Sequence, residues 1–366
     1  MYEKNLLYVH PYFLNYYEDH EIYALIDDYN SIVLLPNNKI NYKLYKKKVF
    51  VEYKLILNKQ FYFIPNFKKI INEIKPKIII TSEIFSLISF IVHIYKYKYK
   101  YAHVIFSYEN TDINKSVWGL FPLTRFFSII NRKSIFVSLS DLCTQNLIKL
   151  NIDKNLIIKI NPGLFPIRLK NNYKSNKKFK ILFIGHLNKN KGIITLINSF
   201  ESIINDGYND IFLIIAGKGE LEEYIKDKSK QIKNIIYLGF VNENVKLNLF
   251  KKCDLFVYPS EDIKFLKIFE RWKEQAGASV IEAMRAGIPV IASNSGSLPE
   301  IIGRDDVIFE QKNYLQLKEK ILWIYKNPNK RKEIGDFNLK RFDEKFNILK
   351  NAKTLEEKLE KIIDIN

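Results

Sequence analysis

Residues 274–303 read EQAGASVIEAMRAGIPVIASNSGSLPEIIG. Positions 278–286 carry neither proline nor internal glycine, and Gly287 followed by Pro289 ends the run as a helix stop does. The stretch therefore predicts a short helix with Glu282 inside it. Glu274, separated from Glu282 by seven intervening residues, falls in the loop ahead of that helix. Gly277 lets the backbone there approach a ligand, and the free N–H groups of the first helical turn can face an anion. Residues 289–293 follow as a short buried strand, and Asn294, Ser295, Gly296 and Ser297 make a turn. One carboxylate thus stands at the mouth of a helix and a second lies two turns deeper.

This text resembles the E-x7-E signature of the family 4 retaining glycosyltransferases, which have the two-Rossmann-domain GT-B fold. The likeness extends beyond the two glutamates. Trp272, Glu274, Gln275, Gly277, Glu282, Ala283, Met284, Gly287, Pro289, Val290, Ser293, Gly296, Pro299 and Glu300 stand where family members carry such residues. A bare pair of glutamates at this spacing reads as two solvated side chains on an ordinary α/β crossover, and it is the positions in register that weigh against that reading. The resemblance implies an α/β protein of GT-B type, two Rossmann-like domains facing each other across a cleft. Residues 1–168 would form the acceptor-side domain and 169–345 the nucleotide-sugar-binding domain, with 346–366 a helix that crosses back to the first.

The bulk composition agrees with two domains. A chain of 366 residues, 47% of them hydrophobic, can bury two cores. Cys143 and Cys253 lie far apart with no metal-type spacing, which suits a reducing compartment. Met1 is followed by charged residues and then only a short apolar run at 6–9, which is not a signal-peptide pattern. The most apolar window, 78–95, holds Glu83 and His93 and is broken by serines, so it falls short of a spanning helix. The expected location is the cytoplasm, or the periphery of a membrane on its cytosolic face. The formal charge of +18 is spread over both halves, with 23 basic against 13 acidic residues up to Arg168 and 35 against 27 after it. Such a balance favours anionic partners: sugar nucleotides, lipid phosphates, phospholipid surfaces or nucleic acid. A general bias toward Lys, Ile, Asn and Tyr accounts for it equally well.

In the amino-terminal half, residues 6–9 predict a first strand. The glycine-rich loop that many relatives place next is replaced by an aromatic one, His10, Pro11, Tyr12, Phe13 and Tyr16. Residues 32–35 and 49–57 predict further strands, and the apolar run 77–81 suits a buried parallel sheet. Thr81 or Ser82 is placed to cap a helix through about Tyr95, with Ile84, Leu87, Ile88, Ile91 and Ile94 on one face. That helix runs into YKYKYKY at 95–101. Its alternation fits an extended edge strand, or else a helix end rich in interfacial anchors that touches a membrane or a lipid-linked acceptor. Residues 103–107 predict the next strand, with Tyr108, Glu109, Asn110, Thr111 and Asp112 at its carboxyl end, where open α/β sheets collect ligands. Many family members carry a catalytic histidine near this point. SYENTD has none after His103 and looks like relatives with a Gln-Asn pair, so the resemblance makes Glu109 and Asn110 candidate contacts for the acceptor or transferred sugar and leaves His103 as a strand residue. A strand at 134–138, a helix capped by Ser140 and a strand at 157–160 lead to a linker at 168–180.

The second half opens with a strand at 179–184 and the loop GHLNKNKG at 185–192, then a helix at 193–203. Glycine and lysine between a strand and a helix can cradle a diphosphate. The resemblance maps this onto the family's phosphate-binding loop, in which an arginine follows the first glycine and a lysine comes five residues later. Lys191 fits, whereas His186 holds the arginine position, so Lys189 or a protonated His186 is the candidate replacement. Strands at 212–216, ending in Gly217, and at 235–238 and 255–259 follow, and the basic loop 260–273 is expected to fold into a small helix. Residues 315–325, 329–344 and 354–363 predict terminal helices.

The expected activity is that of a retaining hexosyl-type glycosyltransferase, carrying sugar from a nucleotide-diphosphate donor to a lipid-linked or oligosaccharide acceptor. By resemblance the catalytic set is Glu274, Lys191, Glu109 and Asn110, and the donor-binding set is Gly185, His186, Lys191, Gly217, Gly277, Ala278 and Glu282. Neither a cofactor nor a metal is expected, since no Asp-x-Asp motif stands in a matching context. Another GT-B enzyme, a sugar-nucleotide epimerase or a phosphorylase, would share the domains without the 274–300 text. A nucleic-acid-binding protein would account for the charge but would show stacked aromatics in a basic groove and a steep salt dependence. The partners expected are therefore a nucleotide sugar and its acceptor, with peripheral membrane contact and no nucleic acid.

Overall fold

The structure, a computed structural model, describes residues 5–9, 30–36, 48–55, 61–112, 115–116, 122–167 and 178–365. The aromatic loop expected after residue 9 and positions 168–177 of the expected linker lie outside the described residues. The chain divides into two compact units, one drawn from Met1–Phe165, Phe265–Arg271 and Ile348–Asn366, the other from Pro166–Lys264 and Trp272–Asn347.

The first unit is built on β1 (Asn5–Val9), β2 (Asn30–Pro36), β3 (Lys48–Val51), β4 (Lys54–Leu55), β5 (Tyr62–Phe63), β6 (Ile78–Ser82), β7 (Ala102–Ser107), β8 (Ile135–Ser138) and β9 (Ile157–Lys159). Seven of these form one parallel sheet in the order β3-β2-β1-β6-β7-β8-β9, while β4 and β5 pair antiparallel beside it. Successive side chains of a strand point to opposite faces, and the core divides accordingly. Leu7, Val9, Leu34 and Ile79 pack on one face with Phe67 and Ile71 of α1 (Phe67–Ile74) and Ile88 and Val92 of α2 (Leu87–Tyr99). Leu6, Tyr8, Val104, Phe106 and Val137 pack on the other with Leu355 and Leu359. Those two leucines belong to the helix Ile348–Ile365, so the chain returns to its first unit for the expected final helix.

Two local expectations change. The helix α2 starts after Ser86, whose hydroxyl accepts from the Ser89 N–H at 3.3 Å, because β6 extends through Ser82 and Ile84 lies outside the helix. It then continues through Tyr99, ending at Lys100 in the left-handed region with its N–H donating to the Lys96 carbonyl at 2.8 Å. The alternating lysines and tyrosines are therefore the last turns of a helix and not an edge strand. His103 is buried in β7, its ring joined to Thr81 and, through Ser134, to His93 at 2.8–2.9 Å, and burial holds both imidazoles below their ordinary range.

The second unit carries β10 (Phe179–Ile184), β11 (Ile211–Ala216), β12 (Ile235–Tyr237), β13 (Leu255–Tyr258), β14 (Ile263–Phe265), β15 (Phe269–Trp272), β16 (Val290–Ser293) and β17 (Ile308–Phe309), although parts of β14 and β15 count with the first unit. Its main sheet is parallel in the order β12-β11-β10-β13-β16-β17, the doubly wound order of dinucleotide-binding folds. The chain reverses direction across the sheet between β10 and β13, which makes the space beyond their carboxyl ends the place where such folds bind ligands. The expected small helix at 260–273 is instead the hairpin β14–β15. Leu266 and Lys267 both take positive φ, 50° and 60°, and the Ile268 N–H bonds the Phe265 carbonyl at 3.2 Å, closing a tight turn of the kind that matches strand twist.

Candidate active site

The site grows from the carboxyl ends of β10 and β13. The backbone of Glu274 is fixed first. Its carbonyl accepts from the Ser297 N–H at 3.1 Å, its N–H donates to Ser295 Oγ at 3.4 Å, and Gly296, at φ 50°, passes so close that any side chain there would collide with the Glu274 backbone. Four residues on, the predicted helix forms as α3 (Ala278–Arg285), with Gly277 as its N-cap and no side chain capping its first turn. Val280, Ile281, Ala283 and Met284 bury one side of it, and Glu282 lies within it as expected.

The Glu274 carboxylate is buried at 4% exposure and is held from two sides. Lys191 Nζ donates to Oε2 at 2.8 Å and the Ser260 hydroxyl donates to the same oxygen at 2.6 Å. Lys191 stands at the end of a short turn, Lys189–Lys191, with its ammonium 4.7 Å from the Trp272 ring centroid and 5.4 Å from that of Tyr258. Aromatic faces attract a cation, and a buried cation needs a counter-charge. Burial alone would lower the Lys191 pKa, but the Glu274 carboxylate overrides it and holds the ammonium well above its usual range. For Glu274 burial pushes upward, and Lys191 with Ser260 and Tyr258 brings the carboxyl below its usual range. Both groups are therefore charged.

Beside this pair the loops after β10 and β11 touch. Gly217, at φ 144°, lies against the Gly185 carbonyl with no room for a side chain. His186 is exposed, and so is Lys189, whose backbone N–H donates to Glu220 Oε1 at 3.1 Å. Glu282 has a lysine of its own. Lys246 Nζ, from the helix Glu243–Lys252, reaches Glu282 Oε1 at 2.5 Å and Glu243 Oε2 at 2.8 Å. Burial pushes the Glu282 carboxyl up, and Lys246 opposes that push. The structure thus brings Glu274 and Lys191 into direct contact, sets Gly185 against Gly217, and places Glu282 with Lys246.

Glu109 and Asn110 belong to the first unit, just past β7. Asn110 is fully buried, and its Oδ1 accepts from Ser140 Oγ at 2.5 Å while that hydroxyl caps the helix Asp141–Lys149. Glu109 Oε1 accepts from both the N–H and the hydroxyl of Thr111 at 2.8 Å, and burial raises its pKa. Ser260 and Lys246 were not singled out from the sequence. Each is a common residue type far in sequence from the glutamate it contacts, and neither carries a spacing signal.

Residues 167–341 match the family model described as Glycosyl transferases group 1. Over 155 residues the chain is 34% identical to an uncharacterized glycosyltransferase of Methanocaldococcus jannaschii, covering 39% of this chain and 36% of that protein. It is 28% identical over 177 residues to the capsular polysaccharide biosynthesis glycosyltransferase CapM of Staphylococcus aureus, covering 47% and 43%. The match thus spans less than half the length of either relative. Among solved structures, HepE of Anabaena in complex with UDP aligns over 98% of this chain and 100% of its own at 15% identity, with a TM-score of 0.75. The fold is GT-B. Within this GT-B chain the group 1 match falls on the second unit, the part that carries Glu274, Lys191 and Glu282.

Proposed function

We propose that the protein is a retaining glycosyltransferase that moves a sugar from a nucleotide-diphosphate donor to the hydroxyl of a lipid-linked or oligosaccharide acceptor. The observation that carries this reading is the buried Lys191–Glu274 pair at the strand ends of the second unit, inside the group 1 match. Transfer breaks the bond between the anomeric carbon and the diphosphate oxygen, which leaves with the electron pair, while the acceptor oxygen bonds to that carbon and passes its proton to the departing diphosphate oxygen. Lys191 and the uncapped first turn of α3 stabilise the negative charge that grows on the departing diphosphate. Glu274 orients the sugar through its hydroxyls, and Glu282 accepts from the ribose. Glu109 and Asn110 serve the acceptor in this reading. The UDP bound by HepE makes uridine the first base to try.

A panel of nucleotide sugars, followed by donor hydrolysis and by thermal shift, tests the proposal. At least one donor should be hydrolysed slowly and raise the melting temperature. The Glu282→Gln variant should bind that donor about 10- to 150-fold more weakly, the equivalent of roughly 1.5–3 kcal/mol for bonds to a charged acceptor, and should also melt lower without donor because the buried pair with Lys246 is weakened. Silence across the whole panel would dismiss the transferase reading.

A further inference from the structure

Glu83 is a buried carboxyl that the proposed chemistry leaves without a task. It directly follows β6, and the turn carrying Glu109 and Asn110 directly follows the neighbouring strand β7, with Ser82 paired to Phe106 in the register. Its backbone takes φ 64°, a left-handed conformation that side chains other than those of Gly, Asn and Asp rarely adopt. Both ends of that residue are nevertheless tied down. Its N–H donates to the Phe106 carbonyl at 2.8 Å, and its carbonyl accepts from the Ser86 hydroxyl at 3.1 Å. The side chain, 4% exposed, then reaches across the strand ends: Oε1 accepts from the Tyr108 N–H at 3.0 Å and Oε2 lies 3.3 Å from Ser107 Oγ. A strained residue held this firmly points to a task at the place it touches.

We infer that Glu83 is a positioning residue, a neutral acid that clamps the turn from Ser107 to Asn110 and so sets where Glu109 and Asn110 stand. Protonated at Oε2, it keeps the Tyr108 bond at Oε1 and turns the Ser107 contact into one that it donates. Three features favour the neutral form. The site is enclosed, Glu109 adds a second carboxyl beside it, and the thiol of Cys143 donates to the Ser107 carbonyl at 3.3 Å from the far side without supplying positive charge. Burial, with Glu109 next, lifts the Glu83 pKa to about 8, against the weaker downward pull of the Tyr108 N–H and the Ser107 hydroxyl. A carboxyl raised in the folded state contributes stability that is full below its unfolded value, declines as pH rises between the two values and is gone once the folded value is passed. The clamp should therefore open just above neutrality. The inference deepens the proposed assignment of Glu109 and Asn110, but its test does not require that assignment.

The test compares native protein with Glu83→Gln, which supplies a permanent acceptor and donor, and with Glu83→Ala. Glu109→Gln is the control for the neighbouring carboxyl, itself raised by burial. Melting temperatures from pH 5 to 10 should show the native protein losing ground to Glu83→Gln between the ordinary glutamate value of 4.5 and about 8 and levelling off above that, with Glu109→Gln still showing that loss. Hydrogen exchange in the peptide 107–112, corrected for the intrinsic tenfold per pH unit, should be slow in native protein at pH 6.5, about tenfold faster at pH 9, slow at both in Glu83→Gln and fast at both in Glu83→Ala. A melting difference that does not change with pH would show that Glu83 is ionised throughout and overturn the inference. Equal exchange in all variants at every pH would show that the acid holds nothing, and would overturn it as well. A protein that hydrolyses no nucleotide sugar but shows both pH effects would sink the transferase reading and leave the clamp standing.

Discussion

Glu274 and Lys191 illustrate how two buried charges come to depend on each other. Neither could stay ionised in its place alone, and removing one partner of a buried pair costs roughly 3–5 kcal/mol because the other is left uncompensated. Glu274→Gln should therefore lower unfolding free energy by that amount at neutral pH, while Glu274→Gln combined with Lys191→Met should cost less than the sum of the single changes. The Glu274 carboxyl is held below its usual range, so its contribution is present above the unfolded-state value and is lost as pH falls through the folded one. The gap between native and Glu274→Gln melting temperatures should accordingly narrow below about pH 4.5, the ordinary glutamate range. A gap that stays constant down to pH 3 would mean that the pair does not hold in solution. The sequence made Glu274 and Glu282 legible because both sit in a patterned stretch with a helix stop behind it. It could not disclose that Lys246 faces Glu282, or that Glu83 clamps the turn after β7, because both contacts arise from the pairing of separate elements and leave no local spacing.

At the scale of single elements, α2 departs most from its sequence pattern. Lysine and tyrosine in alternation have period two, yet tyrosine is tolerated in helices and the preceding apolar run propagates through to Tyr99. Wound on a helix, the three lysines part company. Lys96 Nζ donates to the Lys133 carbonyl at 2.8 Å, while Lys98 and Lys100 stay exposed. Near them Ile94 and Tyr97 are exposed at 45% and 62%, as are Leu123, Phe126 and Ile129 of the helix Pro122–Ile130. Among the described residues no helix is long and apolar enough to cross a membrane. If this surface meets an anionic leaflet, Lys98 and Lys100 supply about 1 kcal/mol each. Replacing both with glutamine should weaken co-sedimentation with anionic vesicles about 30-fold and leave the weak binding to neutral vesicles unchanged. Equal binding by both proteins would direct the search for the acceptor to soluble sugars. The hairpin β14–β15 was hidden for a different reason. Its turn is made by Leu266 and Lys267, residues that carry none of the Asn-Gly chemistry by which such turns are ordinarily recognised.

For the whole molecule, the two parallel sheets were foreseeable, since the apolar runs within 77–81 and 179–184 suit strands buried on both faces. The excursion of Phe265–Arg271 into the first unit was not, because a hairpin's membership depends on what its tip touches. The return of the helix Ile348–Ile365 offers the clearest test at this scale. Leu359 is fully buried against the first sheet, so Leu359→Ala should cost roughly 2–5 kcal/mol and lower the melting of the first unit. The donor binding proposed for the second unit should be unaffected, and a parallel loss of it would show that the two units melt as one. The same helix also decides the order in which the molecule is finished. At 5–20 residues per second a ribosome makes the first sheet well before the second, but Leu355 and Leu359 emerge only after both. The half of the protein that is born first is the half completed last, and a message cut short after residue 347 would spare the newer half and strip the older one of its cover.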